Sequence, residues 1–152
     1  MTQEEVPLIG HAIEARVYAE NPENNFLPAS GPVAFMDLPE HVSFKNGKIR
    51  IDSGIREGDE VSIFYDPMIA KLCTWAPTRE DAIERMRVAL DSFELEGIGH
   101  NLPFLAAVMD HERFITGNIT TAFIEEEYPD GFQGVTLDAA ASRRVAAASA
   151  AM

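Results

Sequence analysis

One cysteine, Cys73, is all that the 152-residue chain carries. It cannot form an internal disulfide, and such sparing use fits a reducing compartment. Cations are scarce: 12 Lys+Arg stand against 25 Asp+Glu, a formal net charge of −13. Nucleic acids and anionic membrane surfaces both need a basic reservoir, so neither partner is expected. No apolar run approaches the ~20 residues that span a bilayer. No basic segment leading into an apolar stretch opens the chain, so no secretion signal is expected and the location reads as cytoplasmic. Gly-Lys-Ser and Gly-Lys-Thr are absent, which removes a P-loop. Gly97-Ile98-Gly99 lacks the third glycine of a dinucleotide fingerprint, the position being Leu102. His11, His41, His100 and His111 show no metal-ligand spacing. No nucleophile–base pair stands out, which excludes a small independent hydrolase.

What is present suits an ordinary globular domain, with 46% hydrophobic and 24% charged residues. Residues 1–5 are polar and expected to be disordered. Residues 11–20 alternate: Ile13, Ala15, Val17 and Ala19 fall on one face, and Glu14, Arg16, Tyr18 and Glu20 on the other. This is the pattern of a half-buried strand. Residues 21–31 are dense in turn formers and read as a loop. Short strands are expected at Val33–Asp37, at Val42–Lys45 before an Asn46-Gly47 hairpin turn, around Ile49 and Ile51, at Val61–Tyr65, and at Ile69–Trp75. Pro67 should end the Val61–Tyr65 strand or set it at an edge.

The period then changes. Thr78 and Asp81 resemble a capping box. Ile83, Met86, Leu90 and Phe93 recur at helical spacing through 79–94. Asn101 is placed to cap a second helix with Pro103 in its first turn, and Leu105, Val108 and Met109 as its inner stripe. Gly117-Asn118 breaks it, and a short third helix runs from about Thr120 to Tyr128. Glu125-Glu126-Glu127 reads as a solvated helix end. Residues 139–152 are rich in alanine. Strands first and helices later indicate an α+β fold: an antiparallel β-sheet of short strands followed by two or three helices packed on one side.

Cys73 sits in an apolar alternation without a base beside it and reads as a buried structural thiol. Arg16 is the informative charge. It lies mid-strand, with Glu14 and Tyr18 sharing its face. One reading is a solvated sheet face with exposed ion pairs. The other is a guanidinium held by carboxylates and aimed at an oxyanion. Asp66 is either a turn residue before proline or an acid that orients a cation.

Gly10-His11-Ala12-Ile13-Glu14-Ala15-Arg16-Val17-Tyr18-Ala19-Glu20-Asn21-Pro22, followed by Phe26-Leu27-Pro28-Ala29-Ser30-Gly31, resembles the start of the C-terminal domain of biotin carboxylases. Asp52-Ser53-Gly54 with Tyr65-Asp66-Pro67-Met68-Ile69-Ala70-Lys71-Leu72 is similar to the family's next block. Ala82–Ala89, Asp91 onward, and Gly97–Asn101 resemble its helical end. The resemblance covers residues 6–133 in order and is nearest in style to the biotin-containing alpha subunits of acyl-CoA carboxylases of the propionyl-CoA carboxylase type. It implies ligase chemistry. ATP and bicarbonate, with Mg²⁺, carboxylate the ureido nitrogen of carrier-bound biotin, and the carboxyl group passes on to an acyl-CoA such as propionyl-CoA. Deprotonating the ureido nitrogen puts charge on the ureido oxygen, which a planar guanidinium steadies better than an ammonium. By motif position Arg16 resembles that arginine, and Asp66 the acid close to it. Thr121 falls where the family sets a residue against the adenine of ATP. Arg50 falls where some members carry a dimer-contact arginine, but the aromatic three residues before it is Gly47 here.

The family's ATP-grasp apparatus, with its glycine-rich lid and Mg²⁺-binding glutamates, and its Met-Lys-Met biotin-attachment motif have no counterpart in these residues. The resemblance therefore implies partners: N-terminal and ATP-grasp domains of the same chain, a biotin carrier domain, and a carboxyltransferase beta subunit. Residues 134–152 read as a linker or the start of a following domain. Turnover by this segment alone is not expected, nor is a ligand bound to it. In a eukaryote the location becomes the mitochondrial matrix. The competing function is a non-catalytic acidic protein-interaction module, and the two differ at Arg16.

Overall fold

The computed structural model describes residues 1–39, 43–44, 47–134, 139, 142–144 and 146. Val42, Lys45 and Asn46 of the expected hairpin, and most of the alanine-rich 134–152 segment, lie outside the described residues. The strands are β1 (His11–Tyr18), β2 (Glu20–Asn21), β3 (Leu27–Pro28), β4 (Gly31–Pro32), β5 (Phe35–Asp37), β6 (Ser43–Phe44), β7 (Gly47–Ser53), β8 (Glu60–Val61), β9 (Met68–Ala76) and β10 (Glu94–Glu96). The helices are α1 (Arg79–Asp91), α2 (Leu102–Asp110), α3 (Glu112–Thr116) and α4 (Phe123–Glu127). The α+β fold class stands.

The main sheet is antiparallel in the order β1-β9-β7-β6. Alternation decides its two faces. Ile13, Ala15 and Val17 of β1, Leu72 and Ala76 of β9, and Ile49 and Ile51 of β7 turn inward and are buried. There they meet Ala82, Ile83, Met86, Ala89 and Leu90 of α1. Each large side chain so buried contributes about 1.5–3 kcal/mol. Thr74 shares this core, and its hydroxyl donates to the Ala82 carbonyl at 3.0 Å, so this hydroxyl is not stranded. Thr78 caps α1 as its spacing predicts, accepting from the Asp81 N–H at 3.1 Å.

At the start of the chain Gln3–Glu5 form a 3₁₀ turn, closed by the Thr2 N–H donating to Glu5 at 2.7 Å. Three expectations change. α1 stops at Asp91 rather than 94, because 94–96 leave the helix to pair with β5. Gly97 makes that turn at φ +93, where a Cβ would meet Ala34 at 2.7 Å. The strand expected at Val61–Tyr65 ends at Val61, since its partner β4 is only two residues long. Ile63, Phe64 and Tyr65 are left 72%, 84% and 81% exposed. The second helix divides at His111, whose backbone is extended and whose Nδ1 accepts from the Arg113 N–H at 3.2 Å to start α3.

Around α2 an aromatic cluster forms a second packing centre. Phe104 meets Phe26, Tyr128 and Phe132 edge-on, with centroids 4.9, 5.4 and 5.4 Å away. It ties the 21–31 loop and the segment after α4 to the helices.

Candidate functional site

The face of the sheet away from α1 carries the alternate residues. The register sets Glu14 and Arg50 on either side of Cys73, Arg16 and Asp52 on either side of Lys71, and Lys48 beside Trp75. Lys48, Arg50, Lys71 and Arg16 outnumber Glu14 and Asp52. This face is thus locally cationic in a chain whose net charge is −13. Its groups are linked across three strands. Asp52 pairs with Arg50 at 3.1 Å, and Arg50 Nη2 and the Glu14 carboxylate each lie 3.9 Å from Cys73 Sγ. Cys73 is therefore half-buried on the charged face, not in the apolar core, because its strand presents odd-numbered residues 71, 73 and 75 to that side.

Arg16 is 58% exposed. Its Nε–H donates to Glu14 Oε1 at 2.9 Å. That bond holds the Glu14 carboxyl below its usual range, and Glu14, with the Tyr18 phenol second, keeps Arg16 firmly protonated. A guanidinium has N–H donors to spare beyond Nε, so the Arg16 head retains donors for an anionic oxygen arriving on this face.

The other predicted residues are distributed. Asp66 lies in the turn before β9, where its Oδ1 accepts from the Met68 N–H at 2.9 Å. Its charge acts on Glu20: burial, and then Asp66, push the Glu20 carboxyl above its ordinary value. Asp66 and Arg16 share no hydrogen bond or ion pair among the described residues; Arg16 is held by Glu14 instead. Thr121 is exposed in the turn before α4 and lines a cavity of about 280 Å³. Its walls include Phe104, Leu105, Val108, Phe114 and Ile124, and Glu14 also reaches it, so the cavity and the Arg16 face share one residue. Gly47 is closely packed: a Cβ there would meet the Trp75 carbonyl at 2.7 Å and Arg85 nearer still. That excludes an aromatic at this position without rearrangement. Glu126 and Glu127 are not merely solvated, since Arg113 pairs with both at 2.7 and 2.5 Å, and His111 with Glu127 at 3.1 Å.

Asn101 is the residue whose role the sequence does not disclose. It stands at the α2 N-cap position, as predicted, but its side chain makes no cap bond. Its carboxamide reaches β1, accepting from the Tyr18 N–H at 2.9 Å and donating to the Arg16 carbonyl at 3.1 Å. The local signal, an Asn before Leu-Pro, points to a cap. Nothing local points to a strand more than 80 positions earlier.

Fold and face together define a domain that offers cationic, hydrogen-bond-donating side chains on one open side of a sheet whose other side is covered by helices. Over residues 14–126 the chain matches the Biotin carboxylase C-terminal domain, and it belongs to that family. It is similar to the propionyl-CoA carboxylase alpha chain of Ruegeria pomeroyi, 57% identical over 167 residues, with 100% of this chain and 24% of that protein covered. The mitochondrial propionyl-CoA carboxylase alpha chain of Caenorhabditis briggsae is 46% identical over 153 residues, covering 100% and 20%. Among solved structures, the biotin carboxylase domain dimer of Hydrogenobacter thermophilus 2-oxoglutarate carboxylase, in complex with MgADP, ADP and bicarbonate, has a TM-score of 0.77. It is 35% identical, over 83% of this chain and 27% of that one. The chain thus spans about a quarter or less of the curated relatives named here.

Proposed function

We propose that this chain supplies the C-terminal part of the biotin carboxylase site of an acyl-CoA carboxylase, of the propionyl-CoA carboxylase type. The domain runs over residues 6–133, and 134–152 lead toward a following domain. The observation that carries the reading is the Arg16 guanidinium, anchored through Nε by Glu14 and open on a cationic face. When bound, carrier-borne biotin supplies a ureido nitrogen that accepts the carboxyl group. Arg16 binds the ureido oxygen through its free N–H donors and lowers the cost of negative charge there. Glu14 fixes the direction of the guanidinium. Asp66 adds negative charge at the margin of the face, where it acts on Glu20.

The apolar walls of the Thr121 cavity suit a flat heterocycle, and Thr121 offers a hydroxyl at its edge, which fits the adenine of ATP. Among the described residues no group of three carboxylate, histidine or cysteine side chains is set to hold a metal ion. The rest of the site belongs to N-terminal and ATP-grasp domains of a longer chain, the substrate arm to a biotin carrier domain, and the onward transfer to a carboxyltransferase beta subunit. The working location is the cytoplasm, or the mitochondrial matrix in a eukaryote. No described helix is long and apolar enough to cross a membrane.

The test is made in the complete carboxylase subunit. Arg16→Gln should lower ATP-dependent carboxylation of free biotin by about 10²–10³-fold, while the KM for ATP stays within about twofold of the parent. Arg16→Lys should restore little, since the planar fork is lost. Parent-like rates in both variants would remove the reading and leave the interaction-module alternative.

A further inference from the structure

We infer that Asn101 is a positioning residue for Arg16; the inference deepens the reading of Arg16 given above and rests on it. β1 is the end strand of its sheet, and among the described residues no strand pairs with its outer edge. Along an antiparallel strand, residues i and i+2 direct their N–H and C=O groups to the same edge. On the outer edge of β1, Arg16 and Tyr18 are such a pair. Asn101 meets both. Its Nδ2–H donates to the Arg16 carbonyl at 3.1 Å, its Oδ1 accepts from the Tyr18 N–H at 2.9 Å, and its own N–H donates to the Tyr18 carbonyl at 3.2 Å. The residue is only 5% exposed, so water does not substitute for these bonds.

The place of the clamp is what makes it specific. The register of β1 on β9 shifts between Val17 and Tyr18, one residue beyond Arg16. A ladder with a shift sets the local backbone direction less firmly than a regular one. Asn101 grips the peptide groups on either side of Val17, and so fixes the Cα–Cβ direction from which the guanidinium starts. A carboxamide carries a donor and an acceptor on one rigid plane, and this edge uses both. An aspartate keeps the acceptor and loses the donor, and a leucine has neither. A buried peptide group left unpaired is costly, so the strand would turn or twist to recover a partner. Either movement carries Arg16 with it.

The experiment uses the complete carboxylase subunit with free biotin, ATP and bicarbonate. Asn101→Asp retains the bond from Tyr18 and loses the one to Arg16, and Asn101→Ala loses both. Each should lower kcat for biotin carboxylation by about ten- to a hundredfold, with the KM for ATP within about twofold of the parent. Placed on an Arg16→Lys background, Asn101→Ala should add almost nothing, because the two residues act as one unit. Thermal melts establish that each variant is folded. The inference is overturned by parent-like kcat in either folded variant, by losses that multiply on the Arg16→Lys background, or by failure of both variants to fold, which would make Asn101 a folding residue only. A parent-like rate for Arg16→Gln would instead overturn the reading of Arg16 itself, and this inference with it.

Discussion

At the scale of single residues, the margin of the Arg16 face is set by carboxylates in unequal surroundings. Glu14 is exposed and bonded to a guanidinium, which favours its charged form. Glu20 is partly buried and faces the Asp66 charge, and both disfavour ionisation. The sign of the stability effect follows. A carboxyl whose folded pKa lies above its unfolded value penalises folding wherever it is ionised. The penalty is complete above the folded pKa and is relieved as the pH falls through it toward the unfolded value. Glu20→Gln should therefore melt at a higher temperature than the parent at pH 7. The gap should close as the pH falls toward the ordinary glutamate value of 4.5. Melting temperatures of parent and variant across that range are the measurement, and a gap that widens on acidification would contradict the assignment.

At the scale of elements, what could be read from sequence depended on how far apart the partners lie. β1 and α1 were legible because their patterns are local: alternation from Ile13 to Val17, and Ile83, Met86 and Leu90 at helical spacing behind a capping threonine. Arg16 inherited its face from the same alternation. The ladders β2–β3, β4–β8 and β5–β10 were not legible, since two or three residues carry no period and each is held by its partner. The clamp of Asn101 on β1 was hidden for the same reason. Its side chain looks like a cap until the strand edge beside it is known, and a buried edge outbids a helix end that water can satisfy. The cap that does form, at Thr78, should matter in proportion to its single bond. Thr78→Ala should destabilise the chain by about 1 kcal/mol, and lower the melting temperature by about 2–4 °C. Thr78→Ser should recover most of it. An unchanged melting temperature in the alanine variant would mean that α1 is held by its packing on the sheet alone.

At the scale of the whole molecule, the decisive quantity is the medium around the guanidinium rather than its presence. Arg16 is 58% exposed on the open face of the sheet. In bulk water two unit charges 4 Å apart interact by only about 1 kcal/mol, and the same pair in a water-excluded site interacts several times more strongly. Electrostatic stabilisation of a developing oxyanion therefore depends on something covering this face. The described residues of this chain do not cover it: α1 lies on the opposite side, and α2 to α4 shape the Thr121 cavity instead. Nor do the described residues include a group of three or more carboxylate, histidine or cysteine side chains set to hold a metal ion. The 152-residue chain alone, supplied with MgATP, bicarbonate and biotin, should accordingly show no bicarbonate-dependent ATP hydrolysis above the uncatalysed background, although it folds. Release of phosphate, followed in a coupled assay with and without bicarbonate, is the check. Turnover by the purified chain that disappears in Arg16→Gln would mean that the open face is catalytically competent in water, and that closure by further domains is not what activates the guanidinium.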